Sequence, residues 1–346
     1  MDSQRNYRKN GTEETTGSRP KLITIVWAPH EERTATFAKR LNSPLFNIHY
    51  LLYKRPFIAP LKYIAQWFKT WLVLFQQRPN IVYITNPPPV AALCVAVYGM
   101  VSRTPFIMDT HSPTLFNKKW GWSVPLQRVL ARRAYINIVD QTRFKNLMES
   151  WNARAIVLEN PPKNIDTNRL KGKSSDGYFD ITVVTIFASD EPIDIIVEAA
   201  KQLPDFRFYI LGDKARAKRS MVDNAPENVI FTGYLHKDDY WNRLNSSNAV
   251  MTLTTHAYSL LAGGQDGVAV NKPLMLSKQP TLTAYFTKGT VFVENTVEGI
   301  LEGVRQAKAN EPRLIQEVIE LGREQAKHWE SNFQELLALI DATKKP

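Results

Sequence analysis

The chain has 346 residues, 44% hydrophobic and 11% aromatic, which suits two domains of about 150 residues each with a tail and excludes an intrinsically disordered protein. Its one cysteine, Cys94, excludes an intramolecular disulfide and a thiolate metal cluster, and it points to a reducing compartment. The net charge of +11 is uneven: over residues 19–163, 20 Lys and Arg stand against 6 Asp and Glu, leaving −3 for the rest, so an anionic membrane surface or other polyanion is expected on one half only.

Residues 1–18 are polar, lack the apolar centre of a secretory signal, and read as a disordered tail. The longest apolar runs reach about a dozen residues, short of the ~18 that suggest a bilayer-spanning helix. From there strand and helix alternate in a Rossmann-like manner. Strands are predicted over 22–27, 46–52, 81–85, 106–109, 135–139 and 155–158. Helices are predicted over 33–41, 61–77, 90–101, 124–134 and 142–151. Asn86-Pro87-Pro88-Pro89 ends the third strand, because proline has no N–H to continue a ladder. The first domain is thus placed at 19–162, and the polar run 163–177 reads as an interdomain linker.

The second half repeats the pattern over 178–325. Strands are predicted at 180–185, 207–211, 228–232, 249–253 and 290–293, with an apolar strand-like run at 274–276. Helices are predicted at 192–202 and 297–309, with a helical stretch between the strands at 228–232 and 249–253. A turn at Gly263-Gly264 opens a helix bearing Asp266 in its first turn. A long C-terminal helix, 312–342, is expected to break near Trp329-Glu330, so that 326–346 forms a last helix of its own.

The ordered set Leu211-Gly212-Asp213, Phe231-Thr232-Gly233-Tyr234, Asp266, Lys272-Pro273 and apolar 274–276 resembles the nucleotide-sugar half of GT-B glycosyltransferases of the family 4 type. In that family a Gly-Asp strand end and a Phe-Thr-Gly-Tyr strand end precede a Glu-x7-Glu motif leading to Gly-x-Pro. Registered on Pro273, the second Glu falls on Asp266 and the first on Tyr258. The Arg and Lys that grip the donor phosphates in the family are absent after the first strand of this half, which runs into Phe187-Ala188-Ser189-Asp190-Glu191-Pro192.

The resemblance implies an α/β protein of GT-B fold, with two facing Rossmann-like domains of parallel sheets and a C-terminal helix crossing back to the N-terminal domain. It implies a metal-independent, retaining transfer from a nucleotide sugar, without a further cofactor, to a glycan or lipid-linked acceptor at the cytoplasmic membrane face. Asp266 would bind ribose, Gly212, Gly233 and Tyr234 the base, and amides at Gly263 and Gly264 the diphosphate. His111 would orient the sugar. The alternative function is a noncatalytic nucleotide-sugar-binding protein in glycan assembly.

Several residues keep two readings. His111 is either a structural hydrogen-bonder or a sugar contact. Asp109 beside it suits a general base in an inverting enzyme, and Ser112 and Trp120 are placed to line the same cleft. His30 and Arg33, on the first strand-to-helix loop, are candidate acceptor contacts, with Arg33 for a lipid phosphate. A solvated loop charge is the other reading of Arg33, and of Lys118 and Lys119. Helix 61–77 places Leu61, Ile64, Ala65, Phe68, Leu72 and Phe75 on one face, either a core face or, with Trp67, Trp71 and the preceding Lys54-Arg55-Pro56-Phe57-Ile58, an interfacial anchor. No Asp-x-Asp, paired-His or Gly-x4-Gly-Lys pattern suggests a metal or an ATPase loop, and Asp238-Asp239 reads as a helix N-terminal acid pair. The basic residues lack a helix-turn-helix or RNP-type frame, so no nucleic-acid partner is expected.

Overall fold

The computed structural model describes residues 20–50, 59–116, 120–172 and 177–343. Expectations for the tail 1–18, for residues 54–58, and for Lys118 and Lys119 lie outside the described residues. The chain divides into two compact units, one from Met1–Leu158 with Phe333–Pro346 and the other Glu159–Asn332.

In the first unit, strands β1 (Leu22–Val26), β2 (Leu45–Asn47), β3 (Ile81–Asn86), β4 (Phe106–Thr110), β5 (Ile136–Val139) and β6 (Ala155–Val157) form one parallel sheet in the order β2-β1-β3-β4-β5-β6. Every residue of β1, β3, β4 and β5 is buried, as expected for parallel strands covered on both faces. The covering helices are α1 (Glu32–Arg40), α2 (Ala59–Gln77), α3 (Pro89–Ser102), α4 (Pro113–Phe116), α5 (Val124–Arg133) and α6 (Thr142–Ser150). The Glu31 carboxylate caps α1 by accepting the Arg33 and Thr34 N–H groups. Proline at the first position opens α3, and Arg103 in a left-handed conformation, φ 58°, ends it.

Helix α2 packs with its sequence polarity reversed. Its apolar stripe, Leu61, Ile64, Phe68, Leu72 and Phe75, is exposed. Its buried face carries Gln66 and Thr70 beside Val73 and Leu74. The two polar side chains are inside because each has a partner there: Gln66 Nε2 donates to the Ile48 carbonyl at 2.7 Å, and the Trp27 indole donates to Thr70 Oγ1 at 2.9 Å. Trp67 and Trp71 join the core at its edge. The stripe is therefore not a core face.

In the second unit, β7 (Phe179–Val183), β8 (Phe206–Leu211), β9 (Val229–Gly233), β10 (Ala249–Thr252), β11 (Leu274–Ser277) and β12 (Thr290–Val293) form a parallel sheet in the order β12-β11-β10-β7-β8-β9. Counted from its own first strand, this is the 3-2-1-4-5-6 winding of dinucleotide-binding domains, with its topological switch point between β7 and β10. The helices are α7 (Ile193–Ala200), α8 (Arg219–Asp223), α9 (Lys237–Asn245), α10 (Ala262–Ala269), α11 (Pro280–Tyr285) and α12 (Val297–Ala309). Gly263 and Gly264 are the second and third residues of α10, not a turn before it, and Asp266 is the fifth. The segment before β7 belongs to this unit: Asn160, Lys163 and Lys171 hydrogen-bond to Gln265, Asp266 and Asn242.

Helix α13 (Glu311–Asp341) runs 31 residues without the break expected near Trp329. Trp329 is buried within the helix and donates its indole N–H to the Glu159 carbonyl at 3.0 Å, so the ring anchors a continuous helix. From Phe333 onward α13 is counted with the first unit. There Phe333 meets the Phe37 ring at 6.4 Å, and Tyr135 donates to the Leu339 carbonyl at 3.0 Å.

Gly289 is the tightest backbone position facing α13. Its φ is 62°, its N–H donates to Glu317, and a Cβ there would lie 2.1 Å from Val318 Cγ2 and 2.6 Å from the Val318 nitrogen. Gly289→Ala is expected to destabilise the second unit by at least about 2 kcal/mol, from left-handed strain and overpacking together. A thermal unfolding midpoint equal to that of the unmodified protein would contradict this.

Candidate functional site

The carboxyl ends of β3, β4 and β5 gather the polar side chains of the first unit. Asp109, on β4, is fully buried and receives both prongs of the Arg33 guanidinium, Nε to Oδ2 and Nη2 to Oδ1, each at 2.9 Å. Tyr83, from β3, donates its hydroxyl to Asp109 Oδ2 at 2.6 Å. Arg33 Nη2 also donates to the Leu158 carbonyl at 2.7 Å, and the guanidinium lies 4.7 Å from the Phe37 ring centre. Burial pushes the Asp109 carboxyl up, but Arg33 and the neighbouring His111 outweigh it and hold the group well below the usual carboxylate range. Burial pulls the Arg33 guanidinium down, but Asp109 outweighs it and raises the group, and burial next to Asp109 raises the Tyr83 phenol.

This geometry corrects two expectations about environment. Arg33 is not a loop cation in solvent; it is a buried strut in the first turn of α1. Asp109, charged and fully engaged, is a weak proton acceptor, so its direct effect is to hold Arg33 and to present negative charge to His111. His111 itself is partly exposed. Its backbone N–H donates to the Asn86 carbonyl at 2.9 Å, while its ring Nε2 lies 3.7 Å from Asp109 Oδ2, beyond hydrogen-bonding distance, and has no hydrogen-bond partner among the described residues. His30 is exposed on the loop after β1, and Trp120 is half-buried.

Asp140 is a residue that sequence reasoning missed. It follows β5 as His111 follows β4, accepts from the Ser112 hydroxyl, and has its carboxyl raised by burial against the opposing pull of Ser112, Arg33 and His111. Its signal in the sequence was an acid directly after a predicted strand. Two carboxylates with opposite shifts, both within electrostatic reach of a partly exposed imidazole, are a pattern associated with acid–base sites.

In the second unit the donor candidates fall into two groups. Asp266 is buried, its Oδ1 accepting from Lys163 Nζ at 2.7 Å and its Oδ2 from the Tyr240 hydroxyl at 2.6 Å, with Lys163 also 5.4 Å from the Trp241 ring centre. Gly263 presses α10 onto the sheet and Gly264 presses it onto the residue after α11: a Cβ at Gly263 would lie 2.8 Å from Val184, and one at Gly264 would lie 2.7 Å from the Phe286 ring. The glycines thus act first through close packing of α10.

The second group surrounds a cavity of about 400 Å³ outside the carboxyl ends of β7, β8 and β10, lined by residues 187–194, Arg216, Ala217, Lys218, Met221 and Thr255. Glu191 folds the loop after β7 by accepting from Thr185 Oγ1, Ile186 N and Ala188 N, and Asp190 accepts from Thr254 Oγ1 at 2.5 Å. Those two acids are therefore committed to the cavity wall. Gly212, φ 118°, lets β8 end against this loop, where a Cβ would lie 2.5 Å from the Thr185 carbonyl. Gly233 accepts from the Gly212 N–H at 3.3 Å, and Tyr234 beyond it is 77% exposed. Arg216 and Lys218 are exposed cavity-lining cations, missed in the sequence although the basic run 214–219 directly follows Leu211-Gly212-Asp213. Among the described residues, no group of three His, Cys, Asp or Glu side chains is placed to hold a metal ion.

Breaking the buried fork has a definite expected cost. Arg33→Met leaves the Asp109 charge buried without its partner and should destabilise the protein by about 3–5 kcal/mol, read from the urea midpoint. The sign with pH follows from the depressed Asp109 carboxyl: its stabilisation is present above the ordinary aspartate pKa of about 3.9 and is lost as pH falls through the folded value. Arg33→Met should therefore lose less stability than the unmodified protein on acidification. Equal acid sensitivity of the two would show that Arg33 does not govern Asp109.

No family model matches the sequence, and no curated protein sequence matches it. Solved structures do match over nearly the whole chain. HepE of Anabaena, whose structure contains UDP and glucose, is 13% identical with a TM-score of 0.67, covering 92% of this chain and 99% of its own. Sucrose-phosphate synthase of Thermosynechococcus elongatus is 11% identical with a TM-score of 0.70, covering 94% and 100%. A glycosyltransferase of Rickettsia africae is 13% identical with a TM-score of 0.67, covering 94% and 98%. With its two six-stranded parallel sheets, the chain has the GT-B fold.

Proposed function

We propose that the protein is a glycosyltransferase that binds a nucleotide sugar in its second unit and passes the sugar to a glycan or lipid-linked acceptor at the cytoplasmic face of a membrane. The observation that carries this reading is the cavity outside the carboxyl ends of β7, β8 and β10, beside the switch point of a 3-2-1-4-5-6 sheet, where open α/β sheets bind nucleotides. The UDP and UDP-glucose in the Anabaena HepE structures support the same ligand class.

In this reading Gly212, Gly233 and Tyr234 border the base, and the Asp266 cluster takes the ribose hydroxyls. Amides at the start of α10, at Gly263 and Gly264, and the cations Arg216 and Lys218 meet the diphosphate. The two cations take the place of the Arg and Lys absent after β7 and neutralise the leaving group without a metal. His111 orients the transferred sugar, held by the charge of Asp109, and the anomeric configuration is retained. His30 contacts the acceptor, and Arg33 supports that edge from within. A second reading, a noncatalytic nucleotide-sugar-binding protein, is favoured by Tyr258, which stands where a family 4 transferase has its first motif Glu. Donor hydrolysis and transfer assayed over a panel of nucleotide sugars separate the two, since binding without any turnover supports the second.

Replacing both cations, Arg216→Ala with Lys218→Ala, is expected to weaken nucleotide-sugar binding by about 2–4 kcal/mol, and Asp266→Ala by about 1–3 kcal/mol, the scale of lost hydrogen bonds to charged groups. Calorimetry that finds unchanged affinity in the double variant would remove the cavity from the donor site.

His111→Ala is expected to slow transfer by ~10² or more while leaving nucleotide affinity nearly unchanged, the signature of a lost positioning or proton-transfer group. Full transfer activity in that variant would make His111 a structural residue only.

A further inference from the structure

We infer that the outward face of α2, continued by the end of α3, is a docking surface for an anionic lipid monolayer. Leu61, Ile64, Phe68, Leu72 and Phe75 recur at helical spacing, and Phe68 is 72% exposed and Leu61 70%. Phe75 packs on Tyr98 of α3 at 5.4 Å, and the apolar surface carries on through exposed Met100 and Val101. A contiguous apolar stripe of this length on one helix face is an interaction surface, not scattered surface residues. No helix of the described residues is long and apolar enough to cross a membrane, so α2 would lie in the interface plane and not span it.

Charge identifies the occupant. Between Glu32 and Asp109 the sequence has no Asp or Glu at all, and it has nine Lys and Arg. Lys69 beside the stripe, Arg78 just past α2 and Arg103 at the end of α3 are all exposed. Arg103 and Arg133 also line a cavity of about 270 Å³ with Gly99, Met100, Thr104 and Phe106, a basic recess of headgroup size beside the exposed Met100. A second copy of this chain would bring the same cations onto each other in a two-fold contact, which disfavours self-association. An anionic monolayer meets both needs, taking the apolar side chains into its acyl boundary and the cations at its phosphates.

The inference gives a surface to the membrane placement proposed above, and it is tested without donor or acceptor, so its failure leaves the nucleotide-sugar reading untouched. The full chain is sedimented with vesicles of phosphatidylcholine alone and with vesicles containing phosphatidylglycerol, at low and high salt. Binding is expected to the anionic vesicles and to fall with salt. Phe68→Ser with Leu72→Ser should lower it at least about tenfold, since each buried apolar side chain is worth roughly that factor or more. The thermal midpoint should not fall, because both side chains face solvent. Unchanged vesicle binding by the double variant would move the contact elsewhere. No binding by the unmodified chain overturns the inference, and a dimer in analytical ultracentrifugation that the double variant abolishes would make the occupant a second copy.

Discussion

A guanidinium and a carboxylate, both out of water, tie the start of α1 to the middle of the first sheet. Neither charge would be tolerated there alone, and the bidentate contact is what allows both. Its effects spread outward in one direction. Arg33 reaches the Leu158 carbonyl and so fixes the chain just past β6. Asp109 draws in the Tyr83 hydroxyl and sets the field in which the His111 ring sits. The polar edge of the first unit is therefore built on one ion pair, and the Asp140 carboxyl beside it is raised by its own burial against the opposing pull of Ser112, Arg33 and His111.

The second unit reaches a comparable precision by a different route, through the absence of side chains. Gly212, Gly263 and Gly264 each sit where a Cβ would run into Thr185, Val184 or Phe286. Removing that bulk draws the ends of β7 and β8 and the start of α10 together. The loop after β7 is then closed by the Glu191 carboxylate and Asp190, not by a ligand. A cavity wall made this way is preorganised: Asp190 and Glu191 are satisfied internally, and Arg216 and Lys218 line the space together with the exposed Asp194.

Much of the architecture was legible because strand and helix periods and proline breaks are local signals. The strands at 22–26, 81–86 and 290–293 and the helix at 297–309 are examples. What was not legible depended on partners distant in sequence. Gly263-Gly264 has the composition of a turn, yet both residues lie inside α10, packed closely on Val184 and Phe286. Trp329-Glu330 suggests a bend, yet a hydrogen bond from the indole to Glu159 lets α13 pass straight through. Arg33 looks like a loop charge until Asp109, 76 residues on, supplies its partner. In the candidate site the strand-end position of His111 was visible, whereas the commitment of Asp266 to Lys163 and Tyr240, and the cavity position of Arg216 and Lys218, needed three dimensions.

Helix α2 is the sharpest case of a local pattern with a non-local meaning. Its apolar stripe satisfies every rule for a core-facing helix, and it faces out. The reason lies with two buried groups elsewhere, the Ile48 carbonyl and the Trp27 indole, which need hydrogen-bond partners inside. Gln66 and Thr70 supply them, so rotating the stripe inward would leave both groups unsatisfied and replace them with no compensating polar contact. The helix is thus fixed in the orientation that leaves five large apolar side chains in water. The solvation cost of this arrangement, in an acid-free stretch of chain, is one that the inferred contact with an anionic lipid monolayer would offset.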